Sequence, residues 1–265
     1  MPELPEVQTV INGLMEAVIH KKIISIEEFR AGTVIWNCPK GDFGAIIDIA
    51  RRGKYIIINT SWQFKIVIHL RMTGKLIYLE DYNFKTPHTR AEILFSDKTK
   101  LIFDDVRTFG KIEIYEINMP VKALDTLGVE PLSSNLNYTY LRGKLKNKKA
   151  PVKNILLDQS IIAGLGNIYV NEILFRARIN PLISGLELRK KQIDEIIFQT
   201  KQVLKEALKY NGTTISDYRS VDNKTGEFQR FLKVYNKKKC ECNSDLVRIK
   251  QAGRSTFYCP KCQKV

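Results

Sequence analysis

The 265-residue chain has no apolar run long enough to cross a membrane, so a spanning helix is not expected. Its first residues carry acids, not a basic region followed by an apolar one, so no secretory leader is visible. It has no internal repeat and no low-complexity tract. It has no G-x-G-x-x-G run either, so a dinucleotide fold lacks its signature. Acidic residues are scarce, 28 Asp+Glu against 43 Lys+Arg, and the net charge is +15. A balance this basic points to a polyanionic partner, nucleic acid before membrane, with a solvated lysine-rich surface as the plain alternative. Cysteine is nearly missing from most of the chain. Cys38 stands alone and reads as an inert thiol, while Cys240, Cys242, Cys259 and Cys262 crowd the C-terminal tail. Without a leader, such a cluster reads as a metal site before disulfides.

What is present falls into two halves. Residues 4–20 carry Val7, Val10, Ile11, Leu14, Met15, Val18 and Ile19 at spacings of three and four, which predicts an amphipathic helix with one core-facing stripe. From about Lys22 to Ile117 short β-rich runs alternate with turn residues, as in Tyr55-Ile56-Ile57-Ile58 and Phe64-Lys65-Ile66-Val67-Ile68. That spacing predicts an antiparallel sandwich or barrel. Asn118-Met119-Pro120 reads as the domain break. Beyond it, 151–159 and 167–178 predict two short helices around Ala163-Gly164-Leu165-Gly166, and 190–209 a longer helix stopped by Asn211-Gly212. The polar stretch 213–230 is expected to be a mobile loop.

Four thiols in two close pairs suit one tetrahedral zinc in a ribbon. Cys259-Pro260-Lys261-Cys262 has the regular spacing, while Cys240-Glu241-Cys242 is one residue short and cannot form the usual knuckle. A hairpin held by packing alone is the alternative. Arg254, between the pairs, would sit at the tip of a pinned hairpin, where it can bind a phosphate. The glycines before Asn167 are expected to form a turn between two helices that grips a nucleic-acid backbone. At the other end stands Met1-Pro2-Glu3-Leu4-Pro5-Glu6. If Met1 is removed, Pro2 becomes a secondary amine able to form an iminium, with a carboxylate beside it. The plain reading is a helix start, where proline and acids are favoured.

PELPEV at the start, RRGKY at 51–55, HLRMTG at 69–74, DVRTFG at 105–110, LLDQSIIAGLGNIYVNE at 156–172 and QAGRSTFYCPKCQ at 251–263 together resemble the formamidopyrimidine-DNA glycosylase family along the whole chain. Leu4 stands where the related endonuclease VIII branch typically has glycine, which favours the oxidised-purine branch. The resemblance implies an α+β protein. An N-terminal antiparallel β-sandwich flanked by helices (1–118) is followed by a helical domain with a helix–two-turn–helix element (119–232) and a zinc-ribbon β-hairpin (233–265). DNA would bind in the basic cleft between the domains.

The resemblance also implies a bifunctional glycosylase/AP lyase of base-excision repair. It would remove 8-oxoguanine and formamidopyrimidines through a Pro2 iminium, followed by β,δ-elimination. Glu3 would be the acid/base partner at the sugar, and Lys54 would contact phosphate and assist proton transfer. His69, Arg107, Lys153, Asn167 and Arg254 would bind DNA. Met72, Arg107 and Phe109 would fill the void left by the flipped base, although Met72 or Phe109 taken singly reads as a core residue. One zinc ion on Cys240, Cys242, Cys259 and Cys262 would be structural. Lys144, Lys146, Lys148 and Lys149 read as solvated lysines able to line the cleft. The expected partner is double-stranded DNA with oxidised bases or abasic sites, with no membrane. The protein is expected to be a monomer in a bacterial cytoplasm, associated with the nucleoid. The same chemistry on oxidised pyrimidines, a non-catalytic nucleic-acid-binding module and a zinc-ribbon adaptor are the rival readings. The C-x-C pair and a short Tyr235–Cys240 segment depart from the family pattern.

Overall fold

The structure is a computed structural model that describes residues 2–213 and 226–264. It divides into two compact units. The described residues of Met1–Asp125 and Tyr210–Glu227 form the first, and those of Thr126–Lys209 and Phe228–Val265 the second.

The first unit begins with α1 (Leu4–Val18), which buries Leu4, Val7, Val10, Ile11, Leu14 and Val18 along one stripe, while Met15, expected on that stripe, is 43% exposed at its edge. The helix stops two residues before the predicted end because Ile19 turns to ψ 140° and His20 enters the left-handed region at φ 66°. Nine strands follow: β1 (Lys22–Glu28), β2 (Val34–Trp36), β3 (Gly44–Arg52), β4 (Tyr55–Thr60), β5 (Phe64–His69), β6 (Lys75–Leu79), β7 (Thr89–Phe95), β8 (Lys100–Asp104) and β9 (Lys111–Glu116). They are ordered β2-β9-β5-β4-β3-β1-β7-β8-β6. The joint between β1 and β3 is narrow, with Lys22 opposite Ala45 and Ile23 opposite Gly44. The halves on either side of this joint contribute to one core. Ile56, Ile58, Ile66, Ile68, Ile112 and Ile114 come from one half, and Ile93, Phe95, Leu101 and Phe103 from the other. Each such side chain contributes about 1.5–3 kcal/mol by leaving water. This is the expected sandwich. The exception to antiparallel pairing is β2, which runs parallel to β9 with Val34 opposite Ile112. A three-residue edge strand reached by a crossover leaves no period-2 trace in the sequence.

The second unit is helical: α2 (Lys122–Asp125) lies just before it, and α3 (Tyr138–Leu145), α4 (Val152–Leu156), α5 (Asn167–Arg176) and α6 (Lys190–Lys209) belong to it. Tyr169, Val170, Ile173 and Leu174 of α5 are fully buried, as are Ile193, Ile196, Val203 and Leu204 of α6. Asn211 at φ 57° and Gly212 at φ 75° end α6, as the Asn-Gly pair predicts. The hairpin of β10 (Val247–Gln251) and β11 (Arg254–Tyr258) completes the unit.

Two domain boundaries differ from those expected. The first unit runs past Pro120 to Asp125 and takes back the chain at Tyr210, where Glu227 N–H donates to the Tyr210 carbonyl at 2.9 Å. The hairpin falls within the second compact unit. Its Phe257 and Cys259 pack with Phe175 of α5 in one apolar cluster. The expected mobile loop at 213–230 lies largely outside the described residues. Its last part forms a short 3₁₀ turn at Phe228–Phe231.

Candidate nucleic-acid processing site

Pro2 and Glu3 are buried at the start of α1. Glu3 is the N-cap, and Glu6 closes a capping box with it by accepting the Glu3 N–H at 2.8 Å through Oε2. The other Glu6 oxygen accepts the Thr213 N–H at 2.7 Å and the Thr213 hydroxyl at 3.0 Å. Glu6 therefore fixes the helix start to the end of the α6 exit. Gly212 lets the backbone come this close, since a Cβ there would meet Glu6 Oε1 at 2.5 Å. The E-x-x-E spacing at 3–6 is the sequence signal for the cap. Nothing local announces the bond to Thr213.

Lys54 follows Gly53, at φ 56°, in the turn between β3 and β4, and only 5% of it is exposed. Arg51 ties this turn to α1: its Nε donates to Gln8 Oε1 at 3.0 Å and its Nη1 to the Gly53 carbonyl at 3.0 Å. His69 sits across the sheet from Tyr55, with their rings edge-on at 4.5 Å. Burial first, then the charges of Arg71 and Lys54, pulls the His69 pKa down to about 3. His69 is therefore neutral at pH 7. Its Nδ1 accepts the Arg71 N–H at 2.9 Å, which places the ring proton on Nε2. The result is a neutral, fixed hydrogen-bond donor beside two cations.

Met72, Arg107 and Phe109 stand out on two turns of the same unit. Met72 is 43% exposed and Phe109 51%, which excludes the core reading of each. Both turns are stapled by the buried carboxylate of Asp105. Its Oδ2 accepts the Gly110 N–H at 2.8 Å. Its Oδ1 accepts the Arg107 N–H at 3.2 Å and the Thr73 hydroxyl. Thr73 Oγ1 in turn accepts from Arg107 N–H at 3.1 Å. The Arg107 guanidinium lies 5.1 Å from the Phe109 ring centroid. One carboxylate thus holds three exposed side chains at fixed positions. Sequence reading passed over Asp105, although it opens the DVRTFG stretch.

In the second unit Gln159 shapes the glycine turn before α5. Its Oε1 accepts the Gly164 N–H at 3.0 Å, and its Nε2 donates to the Leu165 carbonyl at 2.8 Å. Gly164, at φ 87°, supplies the conformation the turn needs. Asn167 then opens α5, at a helix end suited to a phosphate. Its Nδ2 donates to the Ser255 carbonyl at 2.9 Å. Its Oδ1 is buried with no partner among the described residues. Arg254 is exposed beside a two-residue turn in which Ala252 (φ 45°) and Gly253 (φ 77°) are both left-handed, the geometry of a tight hairpin. Lys153, expected to bind DNA, lies inside the second unit in this DNA-free structure. It is fully buried, and its ammonium donates to the Ser255 carbonyl at 3.0 Å and to Thr256 Oγ1 at 2.7 Å. Lys144, Lys146 and Lys149 are exposed, and Lys148 is half-buried.

The four tail thiols converge, with all sulfurs within 4.8 Å of one another. Cys240 and Cys262 Sγ are 3.9 Å apart, and Cys242 and Cys259 Sγ 3.6 Å. A tetrahedron of sulfurs at about 2.3 Å from zinc has edges of about 3.8 Å, so the set fits one ion. The short C-x-C pair is accommodated by a tight turn. Asn243 is left-handed at φ 63°, its N–H donates to the Cys240 carbonyl at 2.9 Å, and the Cys240 N–H donates to the Ser244 carbonyl at 2.9 Å. Gln263 buttresses the second pair by accepting the Cys259 N–H at 2.9 Å. Cys38 packs against the sandwich core, and burial pushes its thiol pKa up.

Three family models match in chain order. The formamidopyrimidine-DNA glycosylase N-terminal domain covers residues 1–112, that family's H2TH domain 127–219, and the zinc finger found in FPG and IleRS 238–265. A formamidopyrimidine-DNA glycosylase of Wolbachia pipientis (strain wPip) is 39% identical over 270 residues, 99% of this chain and 100% of the relative. The crystal structure of a Lactococcus lactis FPG mutant with Fapy-dG-containing DNA matches all of both chains at a TM-score of 0.92 and 35% identity. The wild-type Lactococcus lactis protein with DNA containing an oxidised pyrimidine matches as fully, at a TM-score of 0.91 and 35% identity. The chain belongs to the formamidopyrimidine-DNA glycosylase family.

Proposed function

We propose that this chain acts in base-excision repair as a DNA glycosylase and AP lyase, removing 8-oxoguanine and formamidopyrimidines with Pro2 as the nucleophile. The amine lone pair of Pro2, freed by loss of Met1, attacks the anomeric carbon of the damaged nucleotide. The bond to the base breaks, and the base leaves with that electron pair and a proton. Glu3 serves as acid and base at the sugar, and the positive iminium left on Pro2 draws electrons during β- and then δ-elimination. Lys54 assists proton transfer and contacts phosphate. The observation that carries this reading is a nucleophile and a carboxylate buried together at a helix start that Glu6 holds from two sides.

The anomeric bond is out of reach inside the stack, so the nucleotide must be flipped. Met72 and Phe109 are exposed, apolar and anchored, which suits them to wedge into the vacated space, and Arg107 can hydrogen-bond the orphaned base. His69, Asn167 and Arg254 bind phosphates. One zinc on the four cysteines pins the hairpin that carries Arg254 and takes no part in the chemistry. The enzyme works as a monomer in the bacterial cytoplasm, at the nucleoid. No described helix is long and apolar enough to cross a membrane. Oxidised pyrimidines are a second substrate class, supported by the Lactococcus lactis relative solved with such DNA.

Glu3→Gln tests the assignment. Excision from an intact 8-oxoguanine duplex is expected to vanish while duplex binding persists. Full excision by the variant would remove Glu3 from the acid/base role.

A further inference from the structure

We propose that Lys153 is a positioning residue that sets the hairpin carrying Arg254 and does not itself touch DNA. Lysine is a residue type rarely buried without a partner. Here it is fully buried on α4, and its ammonium grips β11 at two consecutive residues, the Ser255 carbonyl and Thr256 Oγ1. The grip extends inward. Thr256 Oγ1 donates to Gln251 Oε1 at 2.7 Å, and Gln251 Nε2 donates to the Pro181 carbonyl at 3.4 Å. Gln251 and Arg254 flank the hairpin turn directly. Lys153 is therefore connected to both strands of the hairpin next to Arg254.

The Ser255 carbonyl accepts from two donors, Lys153 Nζ and Asn167 Nδ2. These donors are not equivalent. Asn167 is half-buried at the open end of α5, and its amide can turn to a phosphate. Lys153 has no path to solvent without rearrangement of the fold. When Asn167 leaves for a phosphate, Lys153 keeps the carbonyl satisfied and the hairpin in place. A carbonyl oxygen has two lone pairs, so both bonds can form in the free protein.

The inference rests on Arg254 as a phosphate ligand, and the experiment separates the two. Affinity for a lesion-bearing duplex is measured over a range of salt for Arg254→Ala, Lys153→Met and the double variant. Thr256→Val, which removes the same grip without changing charge, is run alongside alone and with Arg254→Ala. Lys153→Met and Thr256→Val are each expected to weaken binding about tenfold, and neither should weaken it further once Arg254 is gone. Lys153→Met is expected to lower the salt slope by no more than Arg254→Ala does, and the double variant by no more than either. Additive losses, with a further drop of about 0.9 in the slope for the double variant, would make Lys153 a phosphate ligand and overturn the proposal. Intact binding by Arg254→Ala would instead reject Arg254 as a ligand, whatever Lys153 does.

Discussion

The two units hold their functional side chains with opposite chemistry. In the first, anions hold the scaffold. Asp105 collects the N–H groups of Arg107 and Gly110, and Glu6 collects those of Glu3 and Thr213. In the second, the hairpin beside Arg254 is held on its backbone by an ammonium and amides. Lys153 and Asn167 donate to the Ser255 carbonyl, and the Asn171 side chain accepts the Phe257 N–H at 2.7 Å. The difference follows from what each region meets. On the proposed reading the first unit's wedges and nucleophile would meet bases and sugar, where a buried carboxylate behind them does no harm. The proposed phosphate grip would meet an anion, and a carboxylate there would repel it. Glu172 is the exception within the second unit, a carboxylate that holds backbone away from the hairpin turn. It lies five residues further along α5 than Asn167, and its carboxylate accepts the N–H groups of Lys233, Val234 and Tyr235.

The comparison can be broken most forcefully at Asp105. Asp105→Ala should reduce excision from a lesion duplex by about a hundredfold, because the wedges lose their positions. Strand cleavage at an abasic site in single-stranded DNA, which needs no wedge, should be nearly unchanged. Equal losses on both substrates would show that the staple serves the general fold and not the wedges.

Glu6→Gln comes next. It places an amide N–H against donors that now meet a carboxylate, and should lower stability by about 1–3 kcal/mol in denaturant unfolding. A neutral result would remove Glu6 as the tie between the helix start and Thr213.

Arg254→Ala should cost about tenfold in duplex affinity and flatten the dependence of log K on log salt by about 0.9, with excision from bound DNA little altered. Asp105→Ala should leave that slope alone. If the two variants move the same observable, the division between the units fails.

At neutral pH the smallest effect concerns His69. Its folded pKa, near 3, lies below the ordinary value of about 6.5, so the unfolded chain binds its proton first. Stability should be unaffected above pH 6.5. As pH falls from there toward 3 it should decline by up to about 1.4 kcal/mol per unit. His69→Gln should remove that part of the acid limb in pH-dependent unfolding, and an unchanged limb would show that His69 is not buried neutral.

How much of this was legible in the sequence depended on the range of the interaction. The stripe of α1 (apart from the exposed Met15), the stop at Asn211-Gly212 and the cluster of four tail cysteines are local patterns, and each is where it was expected. The parallel pairing of β2 with β9 was not legible, nor was the bond between Glu6 and Thr213, since these join residues far apart in the chain. The same long-range bond accompanies the return of the chain at Tyr210 to the first compact unit. The burial of Lys153 was not legible for another reason. Residue type argues for a surface position, and only the folded hairpin supplies the acceptors that let an ammonium be buried. Met72 and Phe109 show the converse, since their type argues for the core and the Asp105 staple keeps them out of it.

The central claim is that the N-terminal amine of Pro2 is the nucleophile. Borohydride reduction during reaction with an 8-oxoguanine duplex, followed by mass mapping of the cross-linked peptide, tests it most directly. The account predicts a covalent adduct on Pro2 in protein lacking Met1, and none in protein that retains it. A cross-link at a lysine, or one formed equally well with Met1 in place, would contradict it.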